Sequence, residues 1–163
     1  MRPVPPTKAS ERVPGRLELD LSYAARLPWV PHARQLATWA RAALSSAYPS
    51  SVLSIRIVGS ARSRSLNARY RRQDKPTNVL SFAGPGAAPD GRFFLGELVI
   101  CAAVVAREAR EQSKAPAAHW AHMTIHGVLH LLGFDHQRAA EAVKMESRER
   151  QILDRLGFSD PYL

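Results

Sequence analysis

Three of the six histidines fall within one short stretch, His126-Gly127-Val128-Leu129-His130-Leu131-Leu132-Gly133-Phe134-Asp135-His136. Neutral imidazole is the commonest protein ligand for transition metals, so their spacing is the first thing to test. On an α-helix, residues four apart stand about 40° apart around the axis and one turn along it, which sets the rings of His126 and His130 side by side. Gly133 falls where a left-handed residue commonly ends a helix, and the residues after it suffice to turn the chain back and bring His136 to the same point. Three neutral imidazoles leave a bound Zn²⁺ with its full charge and an open fourth position, as in catalytic rather than thiolate-rich structural zinc. One Zn²⁺ ion is the expected cofactor; imidazole also suits nickel, copper and iron.

A water in that open position would be a candidate nucleophile. The metalloprotease pattern needs a glutamate directly after the first histidine to act as its base, and Gly127 stands there instead. A zinc peptidase or related hydrolase is therefore the weaker enzyme reading. Two neighbours are candidates for supporting the ligands from behind. His122 lies one turn before His126 on nearly the same face and would orient a ligand or make a structural hydrogen bond. Asp135 would act from behind His136 or cap the turn beside it. His119 reads as structural. Asn78 and Ser81 read as strand-terminating and strand-pairing residues rather than as lining of a site. Cys101, the single cysteine, sits between Ile100 and Ala102 and reads as a small buried hydrophobe.

The chain carries a formal charge of +9, with 19 arginines and 4 lysines on the basic side. Between positions 56 and 75 lie Arg56, Arg62, Arg64, Arg69, Arg71, Arg72 and Lys75 against one acid, Asp74. Guanidinium forks match phosphate oxygens in pairs, so the partner class favoured by this balance is nucleic acid. No run of about 18 apolar residues is present to span a bilayer, and the stretch from Met1 to Lys8 lacks the apolar core of a signal peptide. The expectation is a cytoplasmic protein with no membrane partner.

The elements that would position these groups follow from periodicity. With 163 residues, 45% of them apolar, the chain suits one domain. Residues 1–16, rich in proline, read as a flexible tail, leaving 17–163 as the domain. Alternation marks strands at Leu17–Leu21 and Val52–Val58, with Leu53, Ile55 and Ile57 sharing a side. Two further strands are expected at Val79–Phe82 and Phe93–Ile100, joined by a flexible connection, Gly84–Gly91. Helical spacing appears from Pro31 to Pro49, in a short basic helix from Ser60 to Tyr70, and from Ala102 to about Ser113. The helix opened by Pro116 is apolar nearly all round and so belongs at the buried centre of the domain. A last amphipathic helix, about Ala139 to Leu156, would pack through Val143, Met145, Ile152 and Leu156 and end at Gly157.

The motif His-Gly-x-Leu-His-Leu-x-Gly-aromatic-Asp-His, with Tyr70-Arg71 and Asp74-Lys-Pro-Thr-Asn-Val-Leu-Ser-Phe82, closely resembles the YbeY family of bacterial metal-dependent endoribonucleases. Leu95-Gly-Glu-Leu-Val-Ile-Cys101 and Ala118-His-Trp-Ala-His-Met123 follow in that family's order, so the resemblance extends from residue 17 to Leu163. It implies an α+β fold, a small mixed four-stranded sheet packed with helices around the His-bearing one. It implies zinc on His126, His130 and His136, and Arg71 as a functionally required, catalytic arginine. The implied role is cleavage of single-stranded RNA in ribosomal RNA processing, notably maturation of the 3′ end of the 16S RNA, and in ribosome quality control. The implied partners are ribosomal RNA and the ribosome small subunit, with no DNA. Two departures stand out: Phe134 where tyrosine is common, and Ala83-Gly84-Pro85 after Phe82. A non-catalytic ribosome-binding module whose zinc only holds the fold is the reading from a different class.

Overall fold

Runs of β-branched residues and leucine form the strands, and apolar residues recurring every three to four positions form the helices. The computed structural model describes residues 10–13, 16–44, 48 and 50–163. Its elements run β1 (Ser10–Val13), β2 (Leu17–Tyr23), α1 (Ala33–Ala43), β3 (Ser51–Val58), α2 (Ser60–Arg71), β4 (Val79–Ala87), β5 (Phe93–Cys101), α3 (Ala102–Glu111), α4 (Pro116–Leu131) and α5 (Ala139–Arg155). The strands make one sheet in the order β1-β2-β3-β5-β4. β2, β3 and β5 run parallel, and β1 and β4 close the two edges antiparallel. The α+β class and the mixed sheet are as expected, and all four expected strands take part. The fifth, β1, pairs with β2 from within the stretch expected as tail; residues 1–9, 14 and 15 lie outside the described residues.

Strand alternation sorts the side chains into two cores. Leu19, Leu21, Leu53, Ile55, Ile57, Leu98 and Ile100 join the larger one with α1, α4 and α5. Val58, Leu80, Val99 and Cys101 form the smaller one with Leu66 of α2 and Val104 of α3. α4 is the central helix. It buries ten residues, from His119 to Leu129. It approaches the sheet at Gly127, where an added Cβ would stand 2.8 Å from Leu98 Cδ2 and 3.2 Å from Val79 Cγ2. Among the described residues, no helix is long and apolar enough to cross a membrane.

Three expectations about elements need correction. The flexible connection begins later than Gly84, because β4 continues to Ala87 through a bulge between Ala83 and Gly86. There Gly84 and Gly96 let two backbones meet: a Cβ on Gly96 would lie 2.1 Å from the Phe82 carbonyl oxygen. β4 is also an edge strand, where Pro85 removes no ladder hydrogen bond that a second neighbour would need. The true turn is Ala88–Arg92, closed by Ala88 N donating to Arg92 O at 2.8 Å. Next, α1 spans Ala33–Ala43 rather than reaching Pro49; of its expected continuation, 45–47 and 49 lie outside the described residues. Last, Val143 of α5 is 64% exposed, and the buried stripe is Met145, Glu149, Ile152 and Leu153.

These close approaches predict unequal costs for two small substitutions. Gly127→Ala presses on side-chain methyl groups and should lose about 1–3 kcal/mol, the usual range for overpacking. Gly96→Ala meets a carbonyl oxygen and adopts φ +139, so it should lose more. Denaturant unfolding of both variants checks the order.

Candidate metal centre

α4 ends in a Schellman motif. Gly133, at φ +96, donates its N–H to His130 O, and Phe134 N donates to Leu129 O, both at 3.0 Å. The chain then turns at Asp135, whose Oδ1 accepts from His136 N at 2.7 Å and from Gln137 N at 3.1 Å. Asp135 therefore caps the turn that delivers His136. His126 Nε2 and His130 Nε2 stand 3.1 Å apart, and His130 Nε2 and His136 Nδ1 stand 3.0 Å apart. All three histidines expected as ligands thus bring one nitrogen each to a common point.

That convergence fits a tetrahedral cation. Nitrogens at about 2.0–2.1 Å from one tetrahedral centre lie about 3.3 Å from each other, close to the spacings found. His130 Nε2 carries at most one proton for its two ring neighbours, so neutral rings share at most one good hydrogen bond across the two contacts, and a cation resolves this. The ring of His126 is oriented from behind. Its Nδ1 donates to Glu149 Oε1 at 2.6 Å, which fixes the tautomer with Nε2 free for a ligand bond. Glu149 is fully buried. Its Oε2 accepts from His122 Nε2 at 2.7 Å and from the Tyr162 hydroxyl. His122 therefore meets the converging histidines through a shared carboxylate, and its ring stands edge-to-face with that of His126, centroids 6.2 Å apart.

The electrostatics favour neutral rings at His130 and His122 beside an anion. Burial, the positive charge that His126 and His136 can carry, and the Arg71 guanidinium push His130 down to about 4. Burial also holds His122 below its ordinary value, against the pull of Glu149. For Glu149 burial works upward, but hydrogen bonds from His122, His126 and Tyr162 outweigh it and hold the carboxyl at about 2.

Arg71 closes α2. After it, Arg72 takes a left-handed conformation, φ 57, and the chain folds back on the helix. Asn67 Nδ2 donates to Lys75 O at 2.8 Å, while Ser63 Oγ accepts from Thr77 N at 2.9 Å and donates to Thr77 O at 3.0 Å. Asn78 Nδ2 bonds Glu108 at 3.2 Å, and Glu108 Oε2 accepts from His119 Nε2 at 2.7 Å. Asn78, Ser81 and His119 are therefore structural, with Ser81 Oγ donating to Gly127 O at 3.2 Å. Arg71, whose charge is felt at His130, is exposed, as are Arg62, Arg69, Arg72 and Lys75. Two members leave the basic set: Arg56 is buried and paired with Glu97 at 3.0 Å, and Arg64 is bound by Asp74 at 2.8 Å.

Glu149 and Tyr162 had no part in the expectations from sequence. The signal for Glu149 was present: it stands four residues after Met145 and three before Ile152, an acid on the apolar stripe of α5. Nothing local marks Tyr162.

Two comparisons bear on the chain. A family model described as Endoribonuclease YbeY matches residues 29–157, a span that takes in α1 through α5. The solution structure of TM1509 from Thermotoga maritima is similar over 78% of this chain and 86% of that one, at 25% sequence identity and a TM-score of 0.45.

The depressed value of His130 sets a pH dependence for the metal-free protein. Above the ordinary histidine value of 6.5 the ring is neutral folded and unfolded, so nothing is lost there. As pH falls from 6.5 toward about 4, the unfolded chain takes up the proton first, and folding stability declines across that window. Thermal melts of metal-free protein at pH 7, 5.5 and 4.5 should show this decline, and His130→Gln should flatten it.

Proposed function

The chain belongs to the YbeY family of endoribonucleases, and from that footing we propose that it is a metal-dependent enzyme cleaving single-stranded RNA in ribosomal RNA processing. Maturation of the 16S 3′ end and ribosome quality control are the proposed setting, with the ribosome small subunit as partner and the cytoplasm as location. The observation that carries this reading is the meeting of three imidazole nitrogens at 3.0–3.1 Å, beside a helix end that carries an exposed arginine.

His126 Nε2, His130 Nε2 and His136 Nδ1 would hold one Zn²⁺. Bound there, the ion supplies Lewis acidity toward a phosphodiester oxygen and lowers the pKa of water. The chain's own residues do the rest. Arg71 offers a fork of donors to the non-bridging oxygens, where negative charge grows as the phosphorus becomes five-coordinate. Arg62, Arg69, Arg72 and Lys75 engage backbone phosphates along the same segment, so affinity should fall with salt. Asp135 fixes the approach of His136 by holding the backbone of the turn. The peptidase reading is disfavoured by the site itself, since Gly127 offers no base and the Glu149 carboxylate is committed to His122, His126 and Tyr162.

Purified protein should cleave single-stranded RNA and leave casein intact. Activity should be lost with chelator and in His126→Ala; a contaminating ribonuclease would survive both controls. Arg71→Ala should lower the cleavage rate by about 10²–10³-fold, the usual cost of one donor to a developing oxyanion, with a much smaller change in RNA affinity. Normal cleavage by that variant would remove Arg71 from the mechanism. If His130→Ala cleaves as wild type, the ion only holds the fold.

A further inference from the structure

We propose that Glu149 is a positioning residue for the metal centre, and that Tyr162 holds it in place, so that the segment after α5 is a working part of the site. The inference rests on the reading of His126, His130 and His136 as ligands and concerns residues behind them.

Glu149 is 0% exposed on an otherwise apolar stripe, a placement that persists only where hydrogen bonds replace water. Both of its oxygens are used. Oε1 accepts from His126 Nδ1 at 2.6 Å, and Oε2 from His122 Nε2 at 2.7 Å and from the Tyr162 hydroxyl. The acceptor at Oε1 has a direct consequence for the ligand, because a donor on Nδ1 leaves the lone pair on Nε2. Carboxylates behind ligating histidines act in this way, fixing ring and tautomer and raising basicity.

Tyr162 is set on Glu149 by a clamp of its own. Tyr162 N donates to Asp160 Oδ1 at 2.8 Å, and Arg150 Nε donates to the same oxygen at 3.2 Å. The Arg150 guanidinium lies 4.9 Å from the centre of the Tyr162 ring, and Lys114 Nζ donates to Pro161 O. The hydroxyl is thereby delivered to the carboxylate from outside the helix pair. A tie that served only to join α4 to α5 would need no donor on the ligand histidine itself.

The test titrates metal-free protein with Zn²⁺ against a competing chelator, and with Co²⁺ to read the visible d–d bands. Glu149→Gln puts an amide where a pure acceptor stood, so one of its two histidine partners faces a donor. Zn²⁺ affinity should fall about 10–100-fold and the Co²⁺ bands should change, with the metal-free melting profile retained. Tyr162→Phe removes only the hydroxyl and should shift affinity in the same direction by less. If Glu149→Gln does not fold, Tyr162→Phe decides alone, since the ring packing is kept. Wild-type affinity and bands in the folded variant overturn the inference. So does binding of a second Zn²⁺ that Glu149→Gln abolishes, which would make Glu149 a ligand. A wild-type protein that binds no Zn²⁺, or binds it unchanged after His130→Ala, would instead defeat the reading of the centre.

Discussion

Helix α4 must bury itself against a sheet while carrying four imidazoles, and the cost of an unpaired polar group in a dry interior governs how the rest of the chain is arranged. Each ring is met by an element brought there for it. α3 offers Glu108 to His119, and α5 offers Glu149 to both His122 and His126. The turn after α4 brings His136 to His130. The helix can lie this close to β4 and β5 only because Gly127 presents no side chain to Leu98 and Val79. Apolar packing on one side and a polar seam on the other thus fix its height and rotation together.

The parallel centre of the sheet explains why the end of the arginine helix is felt at the histidine helix despite their separation in sequence. β3 leads into α2, and β5 leads into α3 and then α4. Because β3 and β5 are parallel neighbours, the two connections leave from the same end of the sheet. β4, antiparallel on the edge, returns the chain from α2 to the start of β5. Arg71 therefore reaches the electrostatic surroundings of His130 through strand order rather than through any shared segment.

What could be read in advance divides along the same line. The convergence of His126, His130 and His136 was legible because their geometry is local: one helical turn, a glycine terminator and a short return. β2 and β3 were legible because apolar and polar residues alternate along each, a signal contained within the strand itself. β4 beyond Phe82 was not, since Gly84, Pro85 and Gly86 read as turn, and only the facing Gly96 makes them a bulged edge. Arg56 looked like part of a basic surface until Glu97 appeared on the neighbouring strand, in register with Ser54 rather than opposite Arg56. Glu149 and Tyr162 depend on contacts spanning 23 and 13 residues, and such pairing leaves no spacing to recognise.

The buried carboxylate and the exposed guanidinium act on the histidine cluster with opposite signs. Three neutral imidazoles would do nothing to cancel a divalent charge held among them, so what lies around them would set how strongly the point attracts an anion. The C-terminal end of α4 contributes partial negative charge, and Glu149 a full one, both behind the rings. They make it easier for cationic charge to reside there. Arg71 acts in the opposite sense and disfavours that charge, as its effect on His130 records. If a cation were held there, a phosphodiester meeting both it and the guanidinium would relieve that opposition, because its two non-bridging oxygens can serve one each. The arrangement is thus least settled without an anion, which is a property suited to binding phosphate rather than to holding a fold.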